Sequence, residues 1–127
     1  MSLVVPPTTV DITLYQGASW VEAFRWDYGS TVETALPVDL STCTGRATIK
    51  PEYDSNILLA EASTEDGTMT LDASGNIVIN VPGEDVAVNI YDYKKGTRQI
   101  EIYWPDGAIC RLVQGKVTIS FENKPDV

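Results

Sequence analysis

The chain has 127 residues, 18 acidic and 9 basic side chains for a formal net charge of -9, two cysteines and no histidine. That length is one domain able to bury about two-thirds of its unfolded surface, and 43% apolar content excludes wholesale disorder. The missing imidazole removes Ser-His-Asp and Cys-His nucleophiles together with histidine zinc sites, and the acidity argues against a nucleic-acid backbone as the main partner.

Residues 1–9 read as an extended N-terminal arm, because Pro6-Pro7 favours extended backbone and removes two ladder donors. The opening MSLVVPPTTV has no basic start and no sustained apolar core, so no signal peptide is expected. No apolar run approaches the roughly 20 residues of a membrane helix, so no membrane insertion is expected either. Residues 10–15 alternate, with Val10, Ile12 and Leu14 on one face of a first strand. Ser19–Trp26 places Trp20, Glu22, Phe24 and Trp26 at period two, and Glu22 on that face predicts an edge strand or a bulge. A turn at Tyr28-Gly29-Ser30 follows, with Val38 and Leu40 anchoring the end of a sparse segment.

Gly45–Lys50 alternates again, Ala47 and Ile49 against Arg46, Thr48 and Lys50, and Pro51 stops it. Residues 57–60 are apolar enough to bury, and Glu65-Asp66-Gly67 turns the chain into Thr68–Leu71. The run Asp72-Ala73-Ser74-Gly75-Asn76 is a further turn before Ile77, Ile79 and Val81 share a face. Pro82-Gly83 breaks that strand, and Glu84–Ile90 reads as one or two helical turns with acids at the start. Thr97–Trp104 gives the clearest alternation, Ile100, Ile102 and Trp104 against Gln99, Glu101 and Tyr103. Pro105-Asp106-Gly107 fits a tight hairpin connection into Ile109–Val113. After Gly115, Val117, Ile119 and Phe121 form the last apolar face. About eight short strands with intervening turns predict an all-β sandwich or barrel: one domain over 10–122, with a polar C-terminal tail at 123–127.

Charge is segregated along the chain. Residues 1–93 carry 3 basic and 14 acidic side chains, residues 94–127 carry 6 and 4, so the final strands are the only basic part. Complementary charge of this kind can steer assembly or select a register.

Chemistry finds little to work with. Cys43 and Cys110 are too few for a disulfide scaffold or a four-thiolate zinc site, and no CxxC spacing points to redox work. The acid pairs Glu65-Asp66 and Glu84-Asp85 fit turns and a helix start better than general acid/base roles. Glu52, Asp54 and Asn56, or Asp72 and Asn76, offer oxygens to calcium without the twelve-residue EF-hand pattern. Phosphate-loop and dinucleotide glycine motifs are absent, so no catalytic residue, cofactor or metal site is assigned and a non-enzymatic protein is expected. Trp20, Phe24, Trp26, Tyr91, Tyr93, Tyr103 and Trp104 suit sheet packing, with Tyr103 the expected exposed anchor because it opposes the apolar face. The interface residues are therefore Pro6 and Pro7 of the arm, and Tyr103, Pro105, Asp106 and Gly107 of the hairpin.

The stretches DITLYQGASWVEAFRW (11–26), PVDLSTCTGRATIKP (37–51), TLDASGNIVINVP (70–82) and GTRQIEIYWPDGAICRLVQGKVTIS (96–120) carry a resemblance. In order and character they resemble small tailed-bacteriophage virion proteins with an immunoglobulin-like β-sandwich, such as the N-terminal domain of upper-baseplate proteins. Residues 39–45 are longer than the Asp-Leu-Thr-Gly turn typical of that family. The resemblance implies a non-enzymatic structural subunit in the tail, baseplate or fibre apparatus, with head decoration or a connector as alternative placements. It implies other virion structural proteins as partners, a homo-oligomer or symmetric hetero-assembly, and a virion location after assembly in the host cytoplasm. A carbohydrate-binding accessory domain with an aromatic groove is the competing expectation.

Overall fold

Alternating side chains give the longer strands one face to bury, and the described residues form eleven strands in all. The computed structural model describes residues 8–15, 18–28, 36–83 and 94–120. In chain order the strands are β1 (Thr8–Thr9), β2 (Ile12–Tyr15), β3 (Trp20–Arg25), β4 (Asp27–Tyr28), β5 (Leu36–Pro37) and β6 (Thr44–Lys50). They continue as β7 (Ala60–Ser63), β8 (Met69–Leu71), β9 (Asn76–Val81), β10 (Lys95–Tyr103) and β11 (Ile109–Ser120). The expected helical turns at 84–90, Tyr91, Tyr93, Pro6, Pro7 and the tail lie outside the described residues.

The larger sheet runs β1-β11-β10-β6-β7, with β2 also on β11, and the smaller runs β3-β9-β8. A two-stranded ribbon, β4-β5, joins them in sequence. Both β1 and β2 lie parallel to the last strand, at Val113–Gln114 and Val117–Ser120 respectively. Lettered as in an antibody domain, β3, β8 and β9 take the B, D and E places, and β6, β7, β10 and β11 the C, C′, F and G places. The protein is an immunoglobulin-like β-sandwich with additional strands.

Facing side chains fill the space between the sheets. Trp20, Met69, Ile77, Ile79 and Val81 meet Ala47, Ile49, Ile100, Ile102 and Val117 in one buried cluster. Each fully buried aliphatic side chain contributes about 1.5–3 kcal/mol relative to exposure. The apolar run at 57–60 divides, since Leu59 and Ala60 are buried while Ile57 is 47% exposed.

Two sequence expectations meet a different outcome. Gly115 does not end a strand, because β11 runs unbroken from Ile109 to Ser120. Its register against β10 slips between Ile100 and Glu101, which face Val113 and Arg111 and leave Leu112 as the extra residue of a bulge. The bulge moves the buried positions from even to odd numbers, which the alternation alone reads as a break. A side chain at Gly115 would collide with the Val10 backbone, which donates its N–H to the Gln114 carbonyl at 2.9 Å. The second outcome concerns Glu22. It sits on an edge strand as expected, yet it points inward to Arg98, the largest fully buried side chain, at 1% exposure.

Arg98 Nη1 donates to Glu22 Oε2 at 2.8 Å and Nη2 donates to Oε1, a bidentate pair bridging the two sheets. Trp20 Nε1 donates to the same Oε1 at 2.9 Å, and the guanidinium lies 5.7 Å from the Phe24 ring centre. A charge this deep requires such a partner, since desolvation alone costs several kcal/mol. In antibody domains a disulfide joins strands B and F. Here an ion pair joins them.

Four turns use one device. Asp39, Asp66, Asp72 and Asp106 each accept the backbone N–H two residues on, all at 2.9 Å, from Ser41, Thr68, Ser74 and Ala108. Four of the 18 acidic side chains therefore serve turn construction. Hydrogen bonds from the Ser41, Thr68 and Asn76 side chains hold the Asp39, Asp66 and Asp72 carboxyls below their ordinary 3.8. A carboxylate with a depressed folded pKa contributes stability above its unfolded pKa and loses it as pH falls through the folded value. Denaturant midpoints are thus expected to stay level from about pH 7 to about pH 5 and decline below about pH 4. Equal midpoints at neutrality and well below that point would contradict this role for the aspartates.

Candidate functional site

The β10–β11 hairpin projects the residues that the sequence nominates. Trp104 N–H donates to Ala108 O at 2.9 Å, Gly107 N–H donates to Trp104 O at 3.0 Å, and Asp106 caps Ala108. Gly107 occupies φ +95, the region that favours glycine, and nothing lies where its Cβ would stand. Pro105, Asp106 and Gly107 are all exposed, so the hydrogen-bonded tip stands open to solvent. Below it Trp104 packs edge-on against Trp26, with ring centres 6.0 Å apart. That contact fixes the hairpin to the ribbon side of the sandwich.

Tyr103 and Ile109 face each other across the base of this hairpin. Ile109 is 63% exposed, the most exposed large apolar side chain among the described residues. Tyr103 is half-buried rather than fully exposed, and its hydroxyl donates to Glu101 Oε1 at 2.9 Å. Burial, then the bonded Glu101 carboxylate, pushes the phenol up from its usual value, so it stays a neutral donor. Together with Thr44, Arg46, Thr64 and Glu65 it lines a shallow groove of about 450 Å³.

The register continues this surface across the outer face of the larger sheet. Glu101 stands opposite Arg111 on one side and Arg46 on the other, giving a row of alternating charge. Arg111 lies 3.7 Å from Glu101, and Arg46 pairs with Glu61. Exposed pairs of this kind contribute little stability, about 0–1 kcal/mol each. Their pattern is better suited to selecting the alignment of a partner.

Among the described residues, the remaining candidates stay in separate turns. Asp66 is tied into its turn with a lowered pKa, whereas a general acid needs a raised one. Glu52, Asp54 and Asn56 are exposed at the 51–56 bend, and Asp72 spends both oxygens on Ser74 and Asn76. Among the described residues no three acidic or cysteine side chains gather to hold a metal. Glu84 and Asp85 lie outside those residues. Cys43 and Cys110 are free thiols, one before β6 and one on β11, with β10 between these strands. Two strand spacings are about 10 Å, beyond disulfide reach. Burial pushes both thiols up, and the Asp39 and Asp106 charges add to this at Cys43.

Sequence reasoning missed Ile109 and Arg98 for different reasons. Arg98 shares parity with Ile100 and Ile102, a signal that was available. Ile109 shares parity with buried Val113 and is turned outward only by the bulge at Leu112.

No protein-family model and no curated protein matches the chain. Among solved structures it is similar to Drosophila OTK, extracellular domains 3-5, with 14% sequence identity and a TM-score of 0.33. That match covers 94% of this chain and 34% of the other, so the chain spans about a third of the protein it aligns with.

Proposed function

We propose that this protein is a non-enzymatic structural subunit of a tailed-bacteriophage virion, attaching components of the tail, baseplate or fibre apparatus through protein–protein contacts. One observation carries the reading: a hydrogen-bonded hairpin that exposes Ile109 beside Tyr103 at the end of a charge-patterned sheet. Ile109 leaves most of its side chain in solvent, and the Tyr103 ring opposite it supplies large contact area at low entropic cost. The sequence resemblance to virion proteins supplies the biological setting. Pro6 and Pro7 are the second proposed contact, because the sequence favours an extended arm there, the form that suits a neighbour's groove or sheet edge. Partners are other virion structural proteins in a symmetric assembly, formed in the host cytoplasm.

The test compares incorporation of variant chains into particles by quantitative mass spectrometry of the purified virion. Ile109→Asp and Tyr103→Ala are each expected to lower incorporation about tenfold or more, with thermal midpoints within about 3 °C of the parent. Incorporation that is unchanged, or lost only in step with stability, would reject the hairpin as the contact. The groove beside Tyr103 favours a second reading, a carbohydrate-binding accessory domain. Saturable glycan binding by the free domain, with no association to the particle, would select it.

A further inference from the structure

Among the described residues, β3 pairs only with β9 and leaves its other side open. It is a six-residue edge, longer than β8 with three residues or β7 with four. Natural edges are blunted by proline, lysine, bulges, short length or an inward charge. Trp20–Arg25 contains no proline or lysine, and its inward Glu22 is neutralised by Arg98.

The ladder shows which backbone groups are unused. Trp26 N–H donates to Gly75 O and Asn80 N–H donates to Thr68 O, so even-numbered β3 residues face β9. The N–H and C=O groups of Val21, Ala23 and Arg25 therefore point to the open edge. The adjoining sheet surface is uncharged at Val21, Ala23, Thr70, Val78 and Asn80, and Arg25 is matched by Asp27 at 2.9 Å. In a chain of net charge -9, this is a side on which two copies can meet without opposing like charges.

We propose that β3 pairs antiparallel with β3 of a second copy, joining two smaller sheets into one across a two-fold axis. The register follows from the free groups. Placing Ala23 opposite its own symmetry mate sets Val21 opposite the second copy's Arg25 and uses all three free residues, for roughly six main-chain hydrogen bonds. The neighbouring register would set Glu22 against Glu22 and pair fewer free groups. The Arg25 stem covers the second copy's Val21, which is 60% exposed in one chain. This dimer is independent of where the protein resides.

Sedimentation of the full chain into the high micromolar range is expected to show a monomer–dimer equilibrium. Ala23→Pro removes only an unpaired N–H, so it should leave a folded monomer at every concentration. Val21→Glu faces the second copy's Arg25 and should tighten the dimer about fivefold although it adds negative charge, whereas Val21→Lys should weaken it about fivefold. Mild oxidation of Ala23→Cys should yield a covalent dimer that the parent does not form. A strictly monomeric parent with no crosslink through position 23 overturns the proposal. A dimer that Val21→Lys leaves intact overturns it equally, even if Ala23→Pro were to unfold.

Discussion

Glu22→Gln is expected to destabilise the fold by about 3–5 kcal/mol, read as a lower denaturant midpoint with an unchanged slope. The substitution keeps the size of the side chain, removes the charge and turns one of the two acceptor oxygens into an N–H donor. It leaves the Arg98 guanidinium, 1% exposed, without its counter-ion between the two sheets. The Phe24 face and the remaining amide oxygen offset a fraction of that cost. Replacing both partners together, Glu22→Leu with Arg98→Met, removes the charges and keeps apolar volume. That double variant should recover most of the loss or exceed the parent, because a buried pair gains little over well-packed apolar groups. The two results form one cycle. A loss below about 1 kcal/mol for Glu22→Gln would mean that Arg98 is not held as a buried cation.

Gly75→Ala is expected to cost about 3 kcal/mol, and Gly107→Ala only about 1 kcal/mol. Both glycines adopt positive φ, +79 and +95. They differ in what surrounds them. A Cβ on Gly107 meets nothing within 4 Å, while one on Gly75 overlaps the Trp26 carbonyl oxygen and lies 3.3 Å from Val38 N. Those atoms are backbone and are bonded together: Trp26 N–H donates to Gly75 O at 2.8 Å, and Val38 N–H donates to Trp26 O at 2.9 Å. No rotamer can relieve the overlap, so β3 must separate from the Asp72–Asn76 turn. Equal costs for the two variants would show that this backbone crossing is loose.

Strands with one buried face were legible because alternation is local: Ile77, Ile79 and Val81, and Ile100 and Ile102, are buried as their spacing predicts. Turns were legible for the same reason, since Asp106-Gly107 and Asp72–Asn76 carry their own chemistry. The Glu22–Arg98 bridge spans 76 positions, and each member alone looks like a flaw in an apolar face. Parity places both residues on inward faces without saying that they meet. The bulge at Leu112 was not legible at all, because one extra residue reverses the facing of the positions on one side of it relative to those on the other. That reversal hid Ile109, the strongest contact candidate, while Tyr103 and the tip at 105–107 could be nominated from turn chemistry. The parallel placement of β1 and β2 on β11 also depends on long-range pairing that local pattern does not encode.

In the proposed function, the hairpin end holds neighbouring virion proteins. An electron cryo-microscopy map of the intact particle, with side chains resolved, tests that most directly. The expected result is Ile109 and Tyr103 buried against another virion protein, with Pro105-Asp106-Gly107 seated at the same contact. A particle without this chain, or one in which the hairpin end stands free in solvent, would contradict the account.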